Sequence, residues 1–197
     1  MPDSADEVTA TSSVKVVVTG AYGAGKTTLV RSLSEINVLT QERSVTSAGG
    51  DAPDTIAMDF GRLTVGDGLS LHLFGTPTRD RFDFMWDVVK DGMVGFIVLV
   101  DDSRADSLPE AVGVLNWFCE RANVPYVVAV NKVAPANAER SIRRARHVLR
   151  IPDHVRVCAV DVRQRASSKQ LLLQLLHAAT EDADGVHDED VEQAHAG

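Results

Sequence analysis

Eight residues, GAYGAGKT from Gly20 to Thr27, constrain the fold of this chain more than any other stretch. A glycine, four residues and then Gly-Lys-Thr make a loop whose successive backbone N–H groups cradle phosphates. The lysine reaches the β and γ oxygens, and the threonine hydroxyl ligates Mg²⁺. The candidate phosphate-binding residues are therefore Gly20, Ala21, Tyr22, Gly23, Ala24, Gly25, Lys26, Thr27 and Thr28, with Thr27 also a candidate metal ligand. Such a loop works only between a strand and a helix, because its amides and the positive end of the helix must aim at one anion. The flanks fit: Val14 to Thr19 is a β-branched run just upstream, and Thr28 to Leu33 reads as a helix just downstream. A Gly-rich turn with no ligand is the plainer alternative, and that context weighs against it.

Beyond the loop, apolar strand-like runs alternate with helical patterns, the signature of a layered α/β sheet. Strands are expected at 14–19, 56–65, 69–74, 94–100, 126–130 and 155–160, and helices from the loop to about 36, then at 82–91, 107–122, 138–149 and 167–180. Gly66-Asp67-Gly68 is a hairpin signal, so strands two and three should pair antiparallel and the others parallel. Residues 37–54 are polar, include Pro53 and read as a long mobile loop.

The 197 residues suit one domain. Cys119 and Cys158 lie in apolar runs and read as buried free thiols of a reducing compartment. The polar opening is unlike a signal peptide, and no apolar run approaches the ~20 residues of a membrane span. With neither a prenylation box nor a myristoylation glycine, the protein is expected in the cytoplasm with no direct membrane anchor. The net charge is −8, but ten of the 28 acids fall in residues 1–13 and 181–197, which hold no Lys or Arg; 18 acids against 20 bases remain. Those segments read as disordered acidic tails around a folded domain at 14–180. Arg140, Arg143, Arg144 and His147 can share a helix face, yet no aromatic residues interleave to stack bases, and no nucleic acid is expected as a partner.

The phrases TIAMDFGRLTV, LHLFGTPTRDRF, VGFIVLVDDSRADS and VPYVVAVN, together with the Gly-rich loop, resemble the conservon-type bacterial small Ras-like GTPases, relatives of the polarity GTPase MglA, over about residues 14–180. The resemblance implies a P-loop NTPase three-layer α/β fold with a six-stranded, mostly parallel sheet containing one antiparallel strand. It implies GTP/GDP and Mg²⁺ as ligands, and a molecular switch acting on a regulatory or effector protein, often of the Roadblock type. A switch needs a loop threonine that closes on Mg²⁺ and the γ-phosphate. Thr55 is best placed for this and Thr46 next, while a plain strand-start role for Thr55 stays open. Asp59 resembles a family acid that supports the metal through water. Residues 37–55 and 76–84 are the expected moving segments, with Phe82, Phe84, Met85 and Trp86 on the partner face.

Two departures bear on chemistry. Gly75-Thr76-Pro77-Thr78-Arg79 stands where the Ras-like pattern reads Asp-x-x-Gly-Gln. Thr78 replaces the glycine whose N–H meets the γ-phosphate, and Arg79 replaces the glutamine that orients water. These two are the candidate catalytic residues, and unaided hydrolysis should be slow, because a guanidinium cannot accept the proton of the attacking water. Asn131 and Lys132 begin an Asn-Lys-x-Asp guanine signature, but Ala134 occupies the Asp position. Asp161 and Val162 would form the last base-contact loop, with Asp161 supplying the lost carboxylate or only its backbone N–H. Guanine preference over adenine is expected to be reduced. Two other readings stay open, a degenerate P-loop adaptor with little hydrolysis and a P-loop ATPase or kinase.

Overall fold

β1 (Ser12–Gly20) can stand in the middle of a sheet because its valines serve both faces: Val16 and Val18 enter one core cluster and Val17 the other, all with no exposed surface. The computed structural model describes residues 12–45, 54–66, 68–77 and 83–194, with side chains placed at 12–40, 58–66, 68–77 and 85–182. Around β1 the chain lays down β2 (Leu39–Val45), β3 (Asp54–Val65), β4 (Leu69–Gly75), β5 (Met93–Asp101), β6 (Tyr126–Asn131) and β7 (Val157–Val160). Among the described residues they form a seven-stranded sheet in the order β2-β3-β4-β1-β5-β6-β7. β3 is antiparallel to both of its neighbours, and every other pairing is parallel.

The sheet therefore has one strand more than the six expected. β2 falls within the segment read as a mobile polar loop. Its sequence, LTQERSV, lacks apolar alternation because an edge strand need not bury a face in the core; backbone pairing with β3, from Leu39 opposite Phe60 to Val45 opposite Asp54, defines it instead. The hairpin signal holds: β3 and β4 pair antiparallel, with Gly66 and Gly68 at φ 57° and 117° on either side of the turn.

Among the described residues five α-helices complete the layers: α1 (Lys26–Leu33), α2 (Asp83–Lys90), α3 (Ser107–Arg121), α4 (Ala138–Val148) and α5 (Arg165–Ala194). Leu29, Val30 and Leu33 of α1 and Leu171, Leu172 and Leu175 of α5 pack on the face that presents Val16, Val18, Ile97 and Leu99. On the opposite face Trp86 and Val89 of α2, Leu108, Val114, Leu115 and Phe118 of α3, and Ala145 of α4 meet Val17, Phe96 and Val98. The spacing of Leu108, Ala111, Leu115 and Phe118 is the one-face period of a helix, which is why α3 lies flat against the sheet. α5 runs to Ala194 rather than ending at Thr180; the acidic stretch contains no proline, and the backbone stays helical through residues read as a tail.

Trp86, whose helical spacing among apolar neighbours suits either the core or a partner contact, is buried, its indole N–H donating to Pro77 O at 3.1 Å and its ring edge-on to Trp117 at 5.2 Å. Met85 is half-buried; the side chains of Phe82 and Phe84 lie outside the described residues. Both cysteines are free, but Cys119 is exposed and Cys158 half-buried, since each occupies the less covered side of its element. No helix among the described residues is long and apolar enough to cross a membrane.

Candidate functional site

The loop from Gly20 to Gly25 leaves β1 at its carboxyl end and enters α1, the place where open parallel sheets gather ligand sites. Two glycines make the turn possible. Gly20 has φ 126°, and a Cβ there would lie 2.0 Å from the Leu99 carbonyl oxygen on β5. Gly25, the N-cap of α1, has φ 107°, and a Cβ there would lie 2.7 Å from Nδ2 of Asn131. The loop is thereby pressed against β5 and β6, and the start of α1 has no side-chain cap of its own. Its leading N–H groups suit an anion, as helix N-termini do.

Lys26 folds back over the loop. Its buried ammonium donates to Gly20 O at 3.0 Å and to Ala21 O at 2.9 Å. Burial pulls its pKa down to about 8, with the carboxylates of Asp59 and Glu110 opposing that shift.

Thr27 donates to Asp59 Oδ2 at 2.5 Å, and Thr40 of β2 donates to Asp59 Oδ1 at 2.8 Å. Asp59 is buried directly opposite Gly75, whose missing side chain leaves room for it: a Cβ on Gly75 would stand 3.2 Å from that of Asp59. The carboxylate absent from position 75 thus arrives from the neighbouring strand. Thr55 lies four residues before Asp59 on β3, paired with Ser44, roughly 13 Å away at the rise of a strand; its side chain lies outside the described residues. Thr46, Thr78 and Arg79 lie outside them entirely. Thr40 is the threonine the structure brings to the acid, and sequence reasoning missed it because edge strand β2 was read as loop.

At the other end of the cleft, Asn131 ends β6 and ties two loops together. Its Nδ2 donates to Ala24 O at 2.8 Å, and its Oδ1 accepts the Val162 N–H at 3.4 Å. Lys132 adopts φ 59° and sends its ammonium to Gly23 O at 2.9 Å and Asp101 Oδ2 at 2.6 Å. Burial disfavours the charge on Asp101, but Lys132 and the Ser103 hydroxyl and amide outweigh it and hold the carboxyl below its usual range. Ala134 is exposed and leads into a short 3-10 turn at Pro135–Asn137. Gly23, Gly25, Thr28, Asn131, Lys132, Ala134, Asp161 and Val162 line one cleft of about 640 Å³. A larger groove of about 820 Å³ opens at the start of β6 and β7, away from the Gly-rich loop.

A clamp from α3 grips the crest of the loop. Glu110 accepts the Tyr22 N–H at 3.0 Å, and Arg104 donates to Tyr22 O and pairs with Glu110 at 2.8 Å and Asp106 at 2.7 Å. The Tyr22 ring itself is 67% exposed, so its side chain is free to meet whatever approaches the phosphates. Arg104 lies within the phrase VGFIVLVDDSRADS but nothing there marks its reach, and Tyr22 stands 88 residues from Glu110, so sequence reading missed both contacts. On α4, Arg144 pairs with Asp102 and Arg143 with Glu139, so this basic face is largely answered by acids.

Residues 41–182 match the family described as conserved hypothetical ATP binding protein. An uncharacterized protein of Methanocaldococcus jannaschii is 31% identical over 128 residues, 65% of this chain and 75% of that protein. The family description names ATP, where the sequence resemblance implies guanine nucleotides, and the matched region begins after the Gly-rich loop. A match over most of the folded domain settles membership at the family level: the chain belongs to the conserved hypothetical ATP-binding protein family.

Proposed function

We propose that this protein is a P-loop purine-nucleotide switch that binds a Mg²⁺-nucleoside triphosphate, hydrolyses it slowly without help, and signals its state through β2 to a protein partner. One observation carries the reading: the Asp59 carboxylate is shared between Thr27 of the phosphate loop and Thr40 of the edge strand. The hydroxyl of Thr27 and the carboxylate of Asp59 are hard oxygen donors of the kind Mg²⁺ takes, the second through water. The cation supplies charge that draws the phosphates and the carboxylate together. With its carboxylate turned toward such a cation, Asp59 would no longer hold the Thr40 hydroxyl, which would tie that hydrogen bond on β2 to the state of the site. Thr55 and Thr46 remain the candidate threonines for the γ-phosphate from the sequence resemblance.

Slow hydrolysis is inferred from Thr78 and Arg79, which stand in place of the amide-presenting glycine and the water-orienting glutamine. The partner class, regulatory or effector and of the Roadblock type, follows only from the sequence resemblance. A second reading, a P-loop ATPase or an ATP-holding adaptor, draws on the family description and on Ala134. The nucleotide that co-purifies with the protein, identified by chromatography after denaturation, separates the two: guanine nucleotide supports the switch of the GTPase type, adenine nucleotide the second reading, and no nucleotide with no binding counts against both. At a hundred times its Kd, added nucleotide should stabilise the fold by about 2.7 kcal/mol, seen as a raised melting temperature.

Ala134→Asp is expected to tighten GDP binding roughly ten- to several-hundredfold while leaving ADP unimproved, because one or two charge-assisted hydrogen bonds of ~1.5–3 kcal/mol are gained only by guanine. Equal changes for the two nucleotides would show that the base does not lie against residue 134.

A further inference from the structure

Asp161 is the one carboxylate among the residues lining the cleft, and four donors already hold it. Its Oδ1 accepts the Arg163 backbone N–H at 3.1 Å and Nε at 2.9 Å; its Oδ2 accepts Arg163 Nη2 at 2.9 Å and Gln164 Nε2 at 3.1 Å. A carboxylate offers about four acceptor positions, so this one is full. The neighbouring acids are also engaged, Asp101 by Lys132 and Asp102 by Arg144. Guanine presents N–H donors at N1 and N2, whereas adenine presents neither, so a free carboxylate in this cleft would discriminate between them and an occupied one would not.

The Arg163 side chain is 82% exposed, so it is not packed in place, and its hydrogen bonds run to Asp161. An exposed pair of this kind is readily broken, since it competes with water and with any other donor that arrives. Both residues border the cleft that ends at Asn131 and Val162.

We infer that Arg163 competes with guanine for Asp161, and so sets how strongly the cleft prefers guanine over adenine nucleotides. The inference rests on the nucleotide-binding reading above. With Arg163 in place, guanine must displace a bidentate guanidinium before its N1 and N2 hydrogens find an acceptor; without that side chain one acceptor position opens on each carboxylate oxygen, while the residue-163 backbone N–H and Gln164 keep the other two. Arg163 is a specificity-determining residue that acts through Asp161, and it would be invisible to a search for the Asn-Lys-x-Asp signature.

The test is the ratio of dissociation constants, Kd(ADP)/Kd(GDP), measured on the full chain with inosine diphosphate as a third probe that keeps the N1 hydrogen and lacks the N2 amino group. Arg163→Met keeps the backbone N–H to Asp161 and the aliphatic stem, and should raise the ratio about two- to fivefold, with the inosine nucleotide gaining less than the guanine one. Arg163→Lys keeps the charge without the two-pronged geometry and should give an intermediate ratio. Adding Asp161→Asn to Arg163→Met should return the ratio to that of the parent protein. A ratio that stays within twofold of the parent in Arg163→Met, or a gain that survives Asp161→Asn, overturns the inference and reduces Asp161 to a cap of the turn before α5. If the parent binds none of the three nucleotides, the nucleotide-binding reading falls and this inference with it; if binding is intact and the ratio does not move, only this inference falls.

Discussion

Lys26→Ala is expected to weaken nucleotide binding by roughly a hundred- to a thousandfold. The ammonium is the cation that the Gly-rich loop itself brings to the phosphates, and charge-assisted hydrogen bonds of ~1.5–3 kcal/mol to two phosphate oxygens would be lost together. Lys132 does not replace it, because its ammonium is tied to Asp101 and to Gly23 O on the base side of the loop. The fold should survive the change. The Lys26 ammonium is buried against the carbonyl oxygens of Gly20 and Ala21, and that burial lowers its pKa to about 8, so the substitution removes a desolvated charge rather than creating one. Titration with a fluorescent nucleotide, alongside a thermal melt of the nucleotide-free protein, measures both halves of the expectation. Binding within threefold of the parent would mean that the phosphates do not sit in this loop.

Gly20→Ala should have the largest effect on the fold itself. The added Cβ would overlap the Leu99 carbonyl oxygen at 2.0 Å and also crowd the Leu99 nitrogen and carbonyl carbon, all of them backbone atoms of the adjacent central strand. No rotamer relieves a collision with backbone, and a φ of 126° is strained for any residue with a side chain. The two strands must part where β1 gives way to the loop. A loss of at least ~4 kcal/mol follows, corresponding to roughly 8–16 °C in melting temperature for a domain of this size. Gly66→Ala is the control: its φ is also positive at 57°, but nothing lies within 4 Å, so only local backbone strain of about 1 kcal/mol applies. Equal melting temperatures for the two variants would contradict the packing described for the loop.

What could be read from the sequence was whatever is local. The strand, loop and helix around Lys26 follow from the spacing of glycines and from β-branched and helical runs, and each end lay within a few residues of its expected place. The hairpin from β3 to β4 announced itself through Gly66 and Gly68. The pairing of Asp59 with Gly75 was not legible, because it depends on antiparallel register: which residue of β3 stands opposite Gly75 is fixed by the length of the turn and the match of the whole pair. β2 was hidden for a related reason. An edge strand is defined by what it pairs with rather than by an apolar face, so LTQERSV looked like loop and Thr40 was passed over in favour of Thr55 and Thr46. Glu110 and Arg163 belong to no motif, and Arg104 lies in a quoted phrase that does not reveal its partner; Arg104 and Glu110 reach the site because the fold carries the end of β5 and the start of α3 to the crest of the loop.

The same distinction applies to the base end. Asn131 and Lys132 were identified by pattern, and in the fold they act as braces, joining the phosphate loop to β6 and to the start of α5. The role of Asp161 was left open by the sequence, as a replacement carboxylate or as a backbone contact. Its capture by Arg163 and Gln164, which hold the carboxyl well below its usual range, shows why the residue type alone could not decide.

The central claim is that a nucleotide's phosphates lie in the loop from Gly20 to Thr28 with Mg²⁺ at Thr27. Isothermal titration of the full chain with GTP and with ATP, each with Mg²⁺ and each repeated with inorganic pyrophosphate already bound, tests it most directly. The account predicts saturable one-to-one binding of at least one of the two nucleotides, weakened in the presence of pyrophosphate and again when the metal is chelated. No saturable binding of either nucleotide, or binding indifferent to pyrophosphate, would contradict it.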